Sequence, residues 1–320
     1  MRAFPATAGA IVLLLSMAAV DCARINQVRA MRAFKSANQA YQQQDYQKAA
    51  ELYEEALQQN PDLNTVYFYL GNSYDNQFKP SRKGEAANDA LLDKAVKNYQ
   101  LSADRLSASS DETEKKLAKL SLQYLVTAYS ADKLNDPAKA EPVVQKMIQL
   151  EPSEPTNYFA LAKIYEDAGA YAEAEQVFLQ AKNARPNDPS VYTMLAGYYN
   201  RQGEFPKTIE ALEERATKEP NNPEAHHTIA SYYWDEATRD ARLTDNQKRQ
   251  YVQKGLEATD RAIGVKADYV EALVFKGLLL RLQANLEKDP GKQQALIKEA
   301  IALRDKAEDI RKKKSAGVSN

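Results

Sequence analysis

Residues 155–186 read PTNYFALAKIYEDAGAYAEAEQVFLQAKNARP, and this stretch decides the fold. Tyr158, Leu161, Ala162 and Tyr165 step by three, one and three, which lines them along one face of a helix. Gly169 breaks that helix, because glycine reaches the left-handed conformation a short turn needs. Ala174, Phe178 and Ala181 then step by four and three along a second helix. Small residues at 162, 174 and 181 let the two helices approach closely, with Tyr165 and Phe178 filling the seam beside them. Pro186 stops the second helix and opens the way to another unit.

The unit recurs. Pro152, Pro186 and Pro220 are spaced by 34 residues, and the pattern between them resembles the tetratricopeptide repeat (TPR). Sliding that pattern along the chain predicts an all-α, right-handed superhelical solenoid of about seven TPR helix hairpins. The first, Ala30 to Pro61, keeps Ala37, Ala49, Tyr53 and Ala56 but has Ala33 and Ser36 where large residues are expected. The second opens with Tyr67, Leu70, Gly71 and Tyr74, and the third, Ser121 to Pro152, has Tyr124, Ala128 and Ala140. The fifth, Pro189 to Pro220, has Tyr192, Leu195, Ala196, Tyr199, Gly203 and Phe205; Thr208 and Arg215 replace its usual alanines, which predicts looser packing there. Units two, six and seven are lengthened: 21 residues separate Tyr74 from Ala95, against nine from Tyr165 to Ala174. Helix-start signals at Thr244 with Gln247, and at Asp289 with Pro290, favour hairpins extended at the tip over inserted domains. Leu296, Ala300, Leu303, Ala307 and Ile310 form one stripe of a last helix whose other face is charged, as a terminal cap requires.

The expected organisation is a signal or anchor over 1–22, a linker over 23–29, the solenoid over 30–310 and a basic disordered tail over 311–320. Arg2 precedes an apolar run from Ala6 to Val20, short for a membrane span and suited to a secretory signal. Cys22, the only cysteine, follows it, and the arrangement resembles a bacterial lipoprotein signal with Cys22 as the lipidation candidate. Asp21 departs from that pattern, which asks for a small residue before the cysteine. Cleavage after Ala18 and an uncleaved anchor stand as alternatives, as does an incidental thiol. Each export route places the protein in the periplasm or cell envelope, with membrane anchoring through the N-terminus one of the outcomes.

A formal net charge of −1 gives no global field for nucleic acid. A single cysteine excludes an intrachain disulfide framework and a cysteine metal cluster. No glycine-rich phosphate loop occurs, and the two histidines, His226 and His227, are adjacent on a helix and diverge, so neither a cofactor nor a metal is expected. His226 occupies the slot held by Tyr158 and Tyr192, a packing position. Nothing assembles a nucleophile, a base and an orienting group, so the chain is not expected to be an enzyme.

The resemblance implies a concave groove lined by the first helices of successive units. Carried onto this chain, its groove positions are Phe68, Asn72 and Asn76 in unit two, Phe159, Lys163 and Glu166 in unit four, Thr193, Asn200 and Arg201 in unit five, and His227, Ser231, Trp234 and Asp235 in unit six. Such a mixture of amides, aromatics and charges suits a protein or extended peptide. Trp234 reads either as a partner anchor or as packing for its own lengthened hairpin. The carboxylate clamp of chaperone-binding relatives has no counterpart in consecutive units. The expected function is a non-catalytic scaffold of the cell envelope. A subunit of an outer-membrane assembly or pilus-secretion machine is the alternative, and an enzyme with a groove active site a distant third; the oligomeric state is left open.

Overall fold

The computed structural model describes residues 7–317, with side chains described from Arg24 onward. Fourteen α-helices and one 3-10 turn make up the described residues, which contain no strand. The helices form hairpins in sequence order: α1 (Thr7–Gln42) with α2 (Tyr46–Gln59), α3 (Asn64–Gln77) with α4 (Ala86–Leu106), and α5 (Glu112–Ala128) with α6 (Pro137–Leu150). They continue as α7 (Pro155–Asp167) with α8 (Tyr171–Ala184), α9 (Pro189–Arg201) with α10 (Phe205–Lys218), α11 (Pro223–Arg239) with α12 (Asp245–Val265), and α13 (Val270–Leu286) with α14 (Pro290–Ser315). The chain divides into two compact halves, Met1–Pro152 and Ser153–Asn320. Within each half, helices pack on their sequence neighbours, so the core is a seam and not a centre.

Five helices, the first helices α7, α9 and α11 and the second helices α6 and α14, start the same way. Side chains of Asp136, Glu154, Asp188, Asn222 and Asp289 each accept a hydrogen bond from a first-turn backbone amide, and proline follows as the next residue. The acceptor satisfies one orphan amide and the proline removes another. Thr244 and Gln247 close a reciprocal capping box at the start of α12. A second recurring device ties three first helices, α3, α9 and α11, to the connection before them. The Tyr67 and Tyr192 hydroxyls donate to the carbonyls of Pro61 and Pro186 over 3.1 and 2.6 Å, and His226 Nε2 lies 3.3 Å from the Pro220 carbonyl.

Gly169 (φ +76°) and Gly203 (φ +74°) turn the chain between paired helices, five residues ahead of buried Ala174 and Thr208. Gln44 (φ 61°) and Asn135 (φ 53°) hold the same place ahead of Ala49 and Ala140. A side chain is strained in this region, asparagine less so than glutamine.

Several expectations need correction. The first helix of unit three starts at Glu112, nine residues before Ser121, where Asp111 caps the Thr113 and Glu114 amides. Its buried face is Leu117, Ala118, Ser121, Leu122, Leu125 and Ala128, and the residues gained are shared between α5, with 17 residues against 13 in α7, and the connection 129–136. Thr208 and Arg215 do not loosen unit five. Both are buried and satisfied, Thr208 by the Glu204 carbonyl at 3.1 Å and Arg215 by Glu219 and Glu224 at 2.9 and 3.1 Å. The segment 23–29 is no linker, since α1 runs through it, and α14 continues over 311–315. The Cys22 side chain lies outside the described residues.

Units six and seven are lengthened at the tip as expected: α11 and α12 have 17 and 21 residues and α13 and α14 have 17 and 26, against 13 and 14 for α7 and α8. In unit two the addition falls on one side only. Helix α3 keeps 14 residues, while a connection with a 3-10 turn at Pro80–Arg82 and the 21-residue α4 absorb the rest.

Candidate partner-binding groove

In the C-terminal half, first helices α9, α11 and α13 enclose a cavity of about 320 Å³ lined by Asn200, Ser231, Tyr232, Trp234, Asp235, Arg239 and Phe275. Four of these, Asn200, Ser231, Trp234 and Asp235, are groove positions expected from the sequence. The Trp234 ring is half-buried and meets Phe275 of α13 edge-on, with centroids 5.8 Å apart. It therefore packs on the next first helix. Asn200 is exposed and makes no side-chain hydrogen bond among the described residues, which leaves both ends of its amide facing the cavity rim free. Ser231 donates to the Thr228 carbonyl at 2.8 Å, and Asp235 accepts from Arg239 at 2.8 Å.

His227 buttresses the cavity wall from behind. Its ring lies 4.9 Å from Phe275 and 5.8 Å from Tyr269, both edge-on, and its Nε2 is buried without a partner. Burial pushes the imidazole below its ordinary 6.5, against an opposing pull from Glu271 and Glu224.

The other groove positions of this half, His227 aside, are engaged by residues of the same half. Arg201 reaches from α9 to grip Glu166 of α7 with two parallel hydrogen bonds of 2.7 and 2.9 Å. Lys163 pairs with Asp167, Phe159 packs against Phe178 at 6.0 Å, and Thr193 donates to the Pro189 carbonyl at 3.1 Å.

In the N-terminal half, Phe68 and Asn72 are not available to a partner, being 6% and 4% exposed. Phe68 sits among Tyr69, Tyr99 and Tyr124 at 5.3 to 6.1 Å. Asn72 accepts from the Tyr41 hydroxyl at 2.6 Å and from Asn76 at 2.8 Å, and donates to the Tyr99 hydroxyl at 3.3 Å. Only Asn76 of that set remains exposed. Burial pushes the Tyr41 phenol up to about 12 and the Tyr53 and Tyr99 phenols higher still.

A family profile described as tetratricopeptide repeat matches residues 133–198, and a second of the same description matches residues 32–63. The chain carries tetratricopeptide repeats. Among solved structures, the C-terminal part of a TPR repeat-containing protein from Cytophaga hutchinsonii is similar with a TM-score of 0.50 at 18% identity, covering 87% of this chain and 98% of that one. At that identity the likeness shows the fold alone. MamA is similar with a TM-score of 0.40 at 18% identity, over 65% of this chain and 99% of its own. YrrB, described as a TPR protein with an unusual peptide-binding site, gives 0.38 at 16% identity, over 62% and 91%. No curated protein matches the chain. Tetratricopeptide repeats serve in general as non-catalytic scaffolds that bind protein or peptide partners.

Phe275, Tyr232 and Arg239 were missed in the repeat pattern. Tyr232 and Arg239 flank the expected Trp234 and Asp235 on α11, and a helical wheel brings Arg239 one turn beyond Asp235. Phe275 lies on α13 of the last hairpin, five residues before Leu280, and its packing against Trp234 and His227 brings it to the cavity.

Proposed function

We propose that the protein is a non-catalytic scaffold of the cell envelope that binds an extended segment of a partner protein along the first helices of its C-terminal half. The observation that carries this reading is the cavity beside Trp234, where an apolar wall of Trp234 and Phe275 faces the free amide of Asn200. An apolar side chain of the partner enters the cavity while its backbone bonds to Asn200, the pairing of anchor and hydrogen bond that groove recognition uses. Arg201 and Glu166 hold α7 to α9 and keep the groove preformed, which lowers the ordering cost of binding. The envelope location is supported by the apolar run Ala6–Val20 and the Cys22 that follows.

Trp234 is the chain's only tryptophan, so its fluorescence reports on this cavity alone. Partners captured from detergent-solubilised envelopes should be lost with Trp234→Ala and retained with Gln180→Ala on α8. Titrating the captured partner should then shift the parent's tryptophan emission. Unchanged emission on saturation, or equal capture by Trp234→Ala, overturns the groove reading. Fractionation tests the location separately: Cys22→Ala releases the protein from membranes if that cysteine is lipidated, and a wholly cytosolic parent ends the envelope reading.

A further inference from the structure

Helix α1 keeps one face out of the packing. Ala30, Ala33, Ala37 and Ala40 form its buried line, and their spacing of three and four sets them on one side. On the opposite side, at roughly 100° per residue, lie Ile25, Val28 and Met31, exposed by 51%, 52% and 45%. Arg24, Arg32 and Lys35 are interleaved with them, Arg29 stands at the margin, and all four are exposed. None of the four forms an ion pair among the described residues. No aspartate or glutamate occurs from Cys22 to Gln44.

Two independent properties therefore coincide on one surface: apolar side chains at helical spacing, and an excess of positive charge, with four basic residues against Asp21, the one acidic residue of α1. We propose that this face of α1 docks on an anionic phospholipid surface, with Ile25, Val28 and Met31 entering the headgroup boundary and Arg24, Arg32 and Lys35 pairing with lipid phosphates. Arginine and lysine suit this place because their stems lie along the apolar boundary while their charged ends stay with the headgroups. A second copy of the same face brings excess positive charge against excess positive charge. A neutral peptide leaves that charge unmatched. An anionic lipid surface meets both the apolar and the electrostatic demand. The docking is independent of the groove and of Cys22, and it does not require export, since the cytoplasmic leaflet is anionic as well.

The test reads α1 locally, so that insertion of the apolar run Ala6–Val20 does not mask the answer. Full-length protein carrying Cys22→Ala and Val28→Cys is labelled at position 28 with an environment-sensitive fluorophore and mixed with phosphatidylglycerol vesicles. The label should shift to shorter wavelength and be quenched by a nitroxide carried on the lipid, while a label placed through Glu55→Cys on exposed α2 should not. Each basic residue contributes roughly fivefold to such binding. Arg24→Glu, Arg32→Glu and Lys35→Glu together should therefore raise the lipid needed for half the signal by at least tenfold, as should high salt on the parent. The proposal is overturned if the label stays solvent-like in phosphatidylglycerol. It is equally overturned by an equal response to pure phosphatidylcholine, by a response to polyglutamate but not to vesicles, or by a lipid-free shift that grows with protein concentration.

Discussion

Asn72 in the N-terminal half and Ser231 in the C-terminal half hold corresponding places on their first helices, yet their surroundings are opposite. Asn72 is enclosed by Tyr41, Asn76 and Tyr99 and its amide is spent inside the protein. Ser231 lines an open cavity beside Trp234 and Asn200. The cause lies in the neighbours. Tyr41, Tyr69, Phe68, Tyr99 and Tyr124 form linked ring contacts from α1 to α5, and this aromatic seam fills what the same positions leave vacant around α11. A groove position is thus available to a partner only where the adjacent helices supply nothing large enough to cover it. Elsewhere the same position becomes cement.

The contrast predicts that equivalent truncations act on different quantities. Phe68→Ala should cost about 3–5 kcal/mol of stability, read as a drop in the denaturation midpoint, because it opens a void among three tyrosine rings. A loss under ~1 kcal/mol, within the usual range for surface substitutions, would mean that the N-terminal groove is open after all. Trp234→Ala should cost about 2 kcal/mol or more of partner affinity with a much smaller change in denaturation midpoint, as measured by titration and by urea unfolding of the same samples. Asn72→Ala strands the part-buried Tyr41 hydroxyl it now satisfies and should destabilise by about 1–3 kcal/mol, whereas Asn200→Ala should leave stability unchanged.

A smaller effect follows from His227. Its folded-state pKa is held below 6.5, so the unfolded chain binds more protons in that range. Its contribution is therefore fully present above 6.5 and is lost as pH falls through the lower folded value. Thermal midpoints between about pH 8 and about pH 5 should decline in the parent, and His227→Phe, which suits the Tyr269 and Phe275 rings, should flatten the decline. If it does not, the dependence resides in other groups. Least of all, Gln44→Gly should stabilise the first hairpin by about 1 kcal/mol through relief of its left-handed backbone, where Gly169 already needs no relief.

The fold was legible wherever the pattern and the caps agreed, as in Tyr158 to Pro186. It misled in unit three, where Tyr124, Ala128 and Pro152 match the template in spacing although α5 takes its start from the Asp111 cap and the added residues are shared between α5 and 129–136. The site was legible in the part that depends on one helix: Ser231, Trp234 and Asp235 follow from the period. Phe275 was not, because it joins the cavity through helix-to-helix packing that a period along the chain does not encode. Phe68 and Asn72 were misjudged for the same reason. The available warning was the density of tyrosines in units one to three, which signals a seam already full.

The acidic or amide cap followed by proline has a consequence for how such a chain changes over time. Because the first helices of units four, five and six each begin at their own Glu154–Pro155, Asp188–Pro189 or Asn222–Pro223 step, phase is reset at each of these starts and is not inherited from the preceding hairpin. Residues added at a hairpin tip therefore leave the next unit's apolar stripe where it was, and a lengthened hairpin is reachable by small insertions that each remain foldable. The long tip of unit six is followed by a different kind of start: α13 begins after Tyr269 without a side-chain cap, and buried Val270 and Leu273 hold its register through packing.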